Sequence, residues 1–250
     1  PARAQDEQAA ELAKKLSNPL AALISVPMQY NQDDYGGVND GASVSRLDIK
    51  PVIPFSLNTD WNLISRTIVP LIDQREFPSA AMNESGLGDI NASLFFSPKS
   101  PTAGGWIWGV GPVFLLPTAT KDVLGTEKWG LGPTAVALKQ TGPWTVGLLA
   151  NHIWGVAGND SRSDVSATFL QPFLAYNTKT QTTFSTNTES TYDWNGKQWQ
   201  VPLNFAVAQM FKVGTQLLQV QVGARYWADA PADGPDGWGL RLQLTLLYPK

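Results

Sequence analysis

The sequence contains no cysteine and a single histidine, and these two absences remove several classes of site. Without cysteine there can be no disulfide bond, no thiolate-bound metal and no cysteine nucleophile. A single histidine excludes a metal centre with several histidine ligands, so we expect no cofactor and no bound metal. Charged residues make up only 16% of the chain, with 18 basic and 21 acidic side chains. No basic patch is available to neutralise phosphates, so no nucleic-acid partner is expected.

A long hydrophobic run is also missing, because no stretch approaches the roughly 18 apolar residues of a transmembrane helix. The mean hydropathy is -0.15. A β-barrel of the outer membrane has the same profile, since only alternate residues of its strands face lipid. The absence of an apolar helix therefore leaves a membrane location open.

Alternation of apolar and polar residues is the main pattern that is present. In residues 238–248 the even positions are apolar or aromatic, and Arg241, Gln243 and Thr245 lie between them. Residues 216–228, 198–211 and 43–57 alternate in the same way. Such strands need an apolar medium on one face and a polar one on the other. The predicted strands are 20–32, 43–57, 60–73, 87–98, 105–118, 128–140, 143–155, 164–176, 181–193, 198–211, 216–228 and 237–248.

The connections between these strands alternate between short turns and longer loops, which is the parity of an outer-membrane barrel. The 193–198 connection is the one short member of the second group. We therefore predict an all-β fold: a transmembrane, up-and-down, antiparallel β-barrel of about twelve strands, covering residues 19–250. Residues 1–18 form a separate periplasmic helix or tail, with one apolar helical face over residues 6–17. That helix could plug the periplasmic mouth, lie along the inner leaflet, or be a loosely ordered tail.

Tryptophan is abundant, and its placement fits the two interfaces of a membrane, where indole rings concentrate. Core aromatics would instead cluster in the middle of the strands. One predicted belt follows the short turns and the other borders the long loops. The first belt is Trp61, Trp106, Trp108 and Trp144, and the second is Trp129, Trp154, Trp194, Trp199, Trp227 and Trp238.

Two features fit a closed barrel less simply. Proline cannot donate a ladder hydrogen bond, so prolines inside strands predict bulges or early departures from the ladder. Strand 105–118 is apolar on both faces, and its orientation is not assigned by alternation. The prolines in question are Pro51, Pro54, Pro70, Pro112, Pro133, Pro172 and Pro202.

Several segments resemble a family of bacterial outer-membrane proteins that are commonly labelled transporters. They are grouped with the meta-pathway phenol-degradation proteins, and some carry the misleading label neuromedin U. The resemblance implies an outer-membrane barrel with a transport-like role, and it implies neither a settled substrate nor catalytic residues. The C-terminus resembles a signal for the outer-membrane assembly machinery, although it ends Tyr248-Pro249-Lys250 rather than on the aromatic residue. The segments are DWNLISRTIVPL (60–71), LFFSPK (94–99), GGWIWGVGPVFLLPTAT (104–120), KWGLGPTAVALKQ (128–140), GPWTVGLLANHIWGVAG (142–158) and STYDWN (190–195).

The polar face of the strands gives the candidate site. Closure of the barrel brings the first and last strands together, so we expect several of these charges to lie near one another. They could form a constriction that selects a solute, or an ionic network that fills a narrow barrel. The residues predicted to face the lumen are Arg46, Asp48, Lys50, Arg66, Asp89, Asn91, Glu189, Gln219, Gln221, Arg225, Arg241 and Gln243.

The leading hypothesis is a non-enzymatic outer-membrane channel for a small solute, with the bilayer and the solute as its partners. A first alternative is a lipid-acting hydrolase that uses His152, with Asp164 and Ser166 across the next hairpin as candidate partners. A second alternative is a structural barrel with a filled interior.

Overall fold

The structure is a computed structural model that describes residues 11–35 and 41–248. It is a closed antiparallel β-barrel of twelve strands, which confirms the predicted fold class. The strands are β1 (Ile24–Asp34), β2 (Ser43–Ile49 and Val52–Ser56), β3 (Trp61–Arg75), β4 (Glu84–Leu87 and Ile90–Pro98), β5 (Trp106–Leu116), β6 (Lys128–Thr141), β7 (Trp144–Gly158), β8 (Ser166–Asn177), β9 (Thr182–Thr188 and Ser190–Asp193), β10 (Gln198–Val213), β11 (Gln216–Asp229) and β12 (Asp236–Tyr248).

Each strand pairs with the next along the chain, and the last strand returns to the first. β1 and β12 run antiparallel from the Ile24–Tyr248 pair to the Asp34–Asp236 pair. The predicted alternation of connections is present with one exception: short turns follow β2, β4, β6, β8 and β10, but the connection after β9, residues 194–197, is also short. Both ends of the barrel wall therefore lie on the side of the short turns, which is the periplasmic side in outer-membrane barrels.

The N-terminal helix is described for residues 11–16, and residues 6–10 of the predicted helix lie outside the described part. β1 begins at Ile24, so residues 17–23 connect the helix to the barrel wall rather than belonging to the first strand. In residues 11–35 and 41–248, none of the helical structure is long and apolar enough to cross a bilayer.

The prolines lie at irregularities of the ladder, as their missing N–H groups require. β2 is interrupted at Pro51, and the register of β10 against β11 shifts at Pro202. The carbonyl of Pro70 accepts a hydrogen bond from Gly88, where β4 is interrupted. Pro172 of β8 lies beside the interruption of β9 at Glu189. The pairs on either side of this interruption are Leu170–Ser190 and Phe173–Asn187.

Pro112 and Pro133 face each other across β5 and β6. The pairing of β5 with β4 skips residues beside Pro112, and the pairing of β6 with β7 skips residues beside Pro133. Pro54 is paired with β3, while on its other side only Val52 of that segment pairs with β1. Proline therefore marks places where the strand pairing is interrupted or shifts register.

Alternation separates the two faces of the wall. In β12, Leu240, Leu242 and Leu244 are exposed on the outside, whereas Arg241 and Thr245 are buried inside. The orientation of β5 is also settled, since Trp106, Trp108 and Val110 alternate with residues buried in the interior, such as Val113. The outside of the barrel is thus an apolar band suited to lipid.

The interior has two different halves. Side chains from β3 to β7 form an apolar cluster around Leu20 of the N-terminal segment. On the other half, β1 and β8 to β12 direct mainly polar and charged side chains inward. The members of the apolar cluster are Leu20, Ile64, Phe95, Val136, Leu138 and Leu149.

Candidate functional site

A charged cluster crosses the outer half of the lumen, and we call its four residues Asp33, Glu189, Arg225 and Arg241 the outer cluster. Arg241 Nη2 lies 2.6 Å from Glu189 Oε2, and Arg225 Nη2 lies 3.3 Å from the same oxygen. Arg225 Nη1 also lies 2.8 Å from Asp33 Oδ2. These residues come from β1, β11, β12 and the interruption of β9, so their ion pairs join several strands of the wall rather than run along one strand.

Neighbouring polar groups hold the arginines of the outer cluster in place. Arg241 Nε donates to Asn31 Oδ1 at 2.8 Å. The indole of Trp227 donates to Asp33 Oδ1 at 2.9 Å, and the guanidinium of Arg225 lies 4.7 Å from its ring centroid. Trp227 therefore differs from the predicted membrane belt. It shares the inward face of β11 with Arg225, two residues away, so its indole points into the lumen.

Tyr35, the first residue after β1, lies above this cluster and packs on Phe77, with ring centroids 4.6 Å apart. Burial, and secondarily the negative charge of Asp33, raises the pKa of Tyr35 to about 12. The phenol therefore stays neutral and adds no charge to the mouth of the lumen at neutral pH.

A second group of charges lies on β2, and we call Arg46, Asp48 and Lys50 the β2 cluster. Arg46 Nε donates to Asp48 Oδ1 at 2.7 Å, and Lys50 Nζ lies 3.5 Å from Asp48 Oδ2. The three residues alternate along one face of the strand, which explains why one carboxylate contacts both cations. Asp48 and Lys50 are buried, and Arg46 remains more exposed.

Two polar cavities lie inside the barrel between these charges and the periplasmic end. The outer cavity, of about 200 Å³, reaches Glu189, Arg241 and Lys50. The inner cavity, of about 230 Å³, reaches Leu16 and Ser17 of the N-terminal segment. The residues that line both cavities are Arg66, Gln171, Ser185, Asn187, Gln221 and Gln243.

The N-terminal segment, residues 11–23, occupies the periplasmic end of the lumen. Leu12, Ala13 and Leu23 are buried against Met210 and Leu247 of the barrel wall. Leu20 inserts into the apolar cluster, and a Cβ on Gly109 would lie 3.1 Å from its side chain. The close approach of Leu20 to β5 is therefore possible because position 109 has no side chain.

Hydrogen bonds also connect the N-terminal segment to the barrel wall. Gln140 Nε2 of β6 donates to the carbonyl oxygen of Lys14 at 2.9 Å. The side chains of Ser17 and Asn177 lie within hydrogen-bond distance, with Oγ and Oδ1 3.4 Å apart. The segment thus contacts opposite parts of the wall through both apolar and polar groups.

The predicted lumen residues have different environments. Asp89 accepts hydrogen bonds from Ala119 and from Thr126, whose backbone nitrogen lies 2.6 Å from Oδ2, so its carboxylate organises the loop between β5 and β6. Asn91 lies on β4 and makes no side-chain hydrogen bond with any described residue. Gln219, Gln221 and Gln243 line the inner cavity.

Sequence reasoning missed several members of the site. Asp33 was placed in a loop because strand β1 was predicted to end at residue 32, whereas it ends at Asp34. Asn31 belongs to the same inward face of β1, and the alternation of Met28 and Tyr30 with Gln29 and Asn31 was the available signal. Gln171 and Asn187 line both cavities, yet their strands lack a clear polar alternation.

The remaining tryptophans lie near the ends of the strands. In the short-turn belt, Trp106 and Trp144 are exposed, and Trp61 makes an edge contact with Trp108 at 5.9 Å between ring centroids. In the other belt, Trp194 and Trp199 are exposed at the short connection 194–197. The members exposed beside the longer connections are Trp129, Trp154 and Trp238.

His152 lies on the outward face of β7 with Trp154, with ring centroids 4.2 Å apart. Its Nδ1 is 2.7 Å from Thr168 Oγ1, which also accepts a hydrogen bond from the Trp194 indole at 2.8 Å. His152 Nε2 has no hydrogen-bond partner among the described residues. The group therefore lacks the carboxylate or amide that orients the histidine of a hydrolytic triad.

Three solved structures share this fold. An outer membrane channel from Pseudomonas putida F1 has a TM-score of 0.67 and 16% identity, covering 90% of this chain and 94% of that one. The NanC porin has a TM-score of 0.54 and 11% identity, covering 89% and 98%. Outer membrane phospholipase A from Escherichia coli has a TM-score of 0.51 and 11% identity, covering 91% and 90%.

No protein-family model matches the chain, and no curated protein matches it in sequence. At these identities the three structures establish the fold, and the chain is a β-barrel of the bacterial outer-membrane type. Because channels and a phospholipase share that fold, the choice between transport and lipid hydrolysis depends on the residues themselves.

Proposed function

We propose that this protein is an outer-membrane channel that passes a small solute through its charged lumen. Residues 11–23 act as a plug at the periplasmic mouth. The observation that carries the proposal is the pair of polar cavities that lie between the plug and the outer cluster. A barrel whose interior is filled by its own side chains would leave no polar-lined cavity of this size.

The two boundaries of the cavities differ in kind. The outer boundary is a network of ion pairs on the barrel wall itself. The inner boundary is a segment that precedes β1 and forms no part of the wall ladder. Because the plug can leave without breaking a strand pair, it is the boundary that opens at lower cost.

The arrangement around His152 supports the channel over the hydrolase alternative. Its hydrogen-bond partner is Thr168 rather than Ser166 or Asp164. Asp164 is instead bound to Lys128, with Oδ1 and Nζ 3.0 Å apart. No charge relay to His152 is therefore available from the residues that the sequence offered.

We also propose that β12 is the segment that the outer-membrane assembly machinery recognises. It ends the barrel with alternating apolar residues and the exposed aromatic Tyr248. Residues 249–250 lie outside the described part of the chain. Replacing Tyr248 with Ala is expected to slow assembly in cells while leaving refolding into detergent intact.

Single-channel conductance of the refolded protein in planar bilayers tests the channel and the plug together. Removing residues 1–22 is expected to raise the conductance or the open fraction. A double variant, Ser17→Cys with Asn177→Cys, allows the plug to be bridged by a short bifunctional thiol reagent, and no native cysteine competes. Bridging is expected to lower the current relative to Ser17→Cys alone, which is the matched control.

The contrary result is silence of all these proteins when folding and insertion have been demonstrated. In that case the interior is closed in a way that does not depend on residues 1–22. The chain would then be a structural barrel.

A further inference from the structure

The inner cavity is lined by one charged side chain, which forms no ion pair with any residue that the structure describes. Arg66, on β3, is the single ionisable side chain among the described residues that line this cavity. It forms no salt bridge and no side-chain hydrogen bond with any other described residue. The residue is partly buried, and the space it lines is the interior of the barrel.

Three amides share this situation. Gln171, Gln219 and Gln221 line the inner cavity with Arg66, and none makes a side-chain hydrogen bond within the described residues. Polar side chains enclosed in a protein are normally satisfied by protein, water or ligand. Four donor groups from β3, β8 and β11 therefore converge on one volume without satisfying one another.

The surrounding charges leave Arg66 available to an anion. Each carboxylate nearby is already engaged: Asp48 contacts two cations, and Glu189 contacts Arg225 and Arg241. The outer cluster, the β2 cluster and Arg66 together hold five basic and three acidic side chains. This part of the lumen therefore has an excess of positive charge.

We propose that the inner cavity is a binding site for a small organic carboxylate, an inference that rests on the proposed channel function. The carboxylate accepts two parallel hydrogen bonds from Arg66, the geometry that a guanidinium favours. The amides of Gln171 and Gln221 donate to the remaining lone pairs. Leu16, Leu149 and Phe173 provide an apolar wall for the body of the solute.

The size of the cavity restricts the ligand. Its volume of about 230 Å³ is below the usual range for drug-sized ligands. A short aliphatic acid fits this description, whereas an oligosaccharide does not. Hexanoate is therefore a suitable probe, and hexanamide is its neutral counterpart of nearly the same shape.

The experiment measures binding separately from conduction. Isothermal titration calorimetry of the full chain in detergent micelles, with a micelle blank, compares hexanoate with hexanamide. Arg66→Gln is expected to weaken hexanoate binding roughly tenfold or more, since a charge-assisted hydrogen bond is lost. Arg75→Gln is the matched control, because Arg75 lies on the same strand but is exposed and pairs with Asp73.

Arg66→Lys keeps the positive charge and loses the paired N–H donors of the guanidinium. We therefore expect an affinity for hexanoate between those of the unmodified protein and Arg66→Gln. If Arg66→Gln does not fold, Gln221→Ala serves as the second variant. It should weaken the binding of hexanoate and leave the binding of hexanamide unchanged. Equal affinity for hexanoate and hexanamide, or unchanged affinity in the folded Arg66→Gln or Gln221→Ala variant, would overturn the proposal. If the protein conducts but does not bind hexanoate, the proposed carboxylate site is rejected and the channel proposal stands. If it binds hexanoate but never conducts, the channel proposal is rejected and the carboxylate site stands.

Discussion

Glu189→Gln is the perturbation that tests the outer cluster most directly. One carboxylate there contacts Arg241 at 2.6 Å and Arg225 at 3.3 Å. The side chains of Glu189 and Arg241 are 16% and 3% exposed, so both charges are largely removed from water. Glutamine keeps the length of the side chain and removes the charge, which leaves both arginines without their shared partner.

The expected cost follows from what each arginine retains. Removing one partner of a buried ion pair typically costs about 3–5 kcal/mol. Arg225 keeps Asp33, and Arg241 keeps Asn31, so part of that cost is avoided. Water in the adjacent cavity reduces it further. We therefore expect the free energy of unfolding to fall by about 2 kcal/mol.

Urea unfolding of the vesicle-inserted protein, followed by tryptophan fluorescence, measures this change. Asp73→Asn is the matched control, because its pair with Arg75 is exposed and should contribute only about 0.5 kcal/mol. If Glu189→Gln is no more destabilising than Asp73→Asn, the outer cluster is solvated and does not stabilise the barrel. The reasoning about a desolvated network would then be refuted.

Three further outcomes are expected. Leu20→Ala should weaken docking of the N-terminal segment by about 2–5 kcal/mol, because Leu20 fills the space beside Gly109, and limited proteolysis of residues 11–23 in vesicles measures the loss. Gly132→Ala should abolish the folded band on a heat-modifiability gel, since its Cβ would lie 1.7 Å from the carbonyl oxygen of His152, whereas Gly104→Ala, with its nearest atom at 3.6 Å, should fold. Phospholipid vesicles that contain the protein should release no fatty acid above background, and release that is lost on His152→Ala would instead establish the hydrolase.

The barrel itself could be predicted from sequence because alternation and loop parity are local properties. A period of two identifies a strand and its two faces from a handful of residues, as in residues 238–248. The strand boundaries could be predicted less accurately, and the C-terminal end of β1 is the boundary that affected the candidate site. Asp33 and Asp34 precede Tyr35 and two glycines, a composition typical of a loop, so the strand was ended early and a member of the outer cluster was missed.

The contacts across the lumen could not be predicted, since they depend on how the closed wall bends. Glu189 reaches Arg225 and Arg241 from a point where β9 is interrupted. Nothing in its own segment indicates which strands it faces. Trp227 shows the converse error, because its nearness to a loop was given more weight than its parity with Arg225, and parity was the better guide.

The plug shows why the same helical pattern allowed three interpretations. An apolar face that includes Leu12, Ala13 and Leu16 can bury itself on lipid, on another protein or inside a barrel with equal benefit. What distinguishes the last case is a complementary surface, here Met210 and Leu247 of the barrel wall. That surface is assembled from strands far apart in the sequence.

The plug and the wall should differ in stability, and this difference is what makes a gate physically reasonable. Each strand of the wall is hydrogen-bonded on both sides, and a bilayer penalises every backbone group that loses its partner. The plug is retained by a few buried apolar side chains and two sets of side-chain hydrogen bonds, and its burial is offset by the entropy lost on ordering the segment. Undocking therefore needs no strand pair to break. On the proposed function, we expect undocking to join the two cavities to the periplasm while the outer cluster and the barrel remain intact.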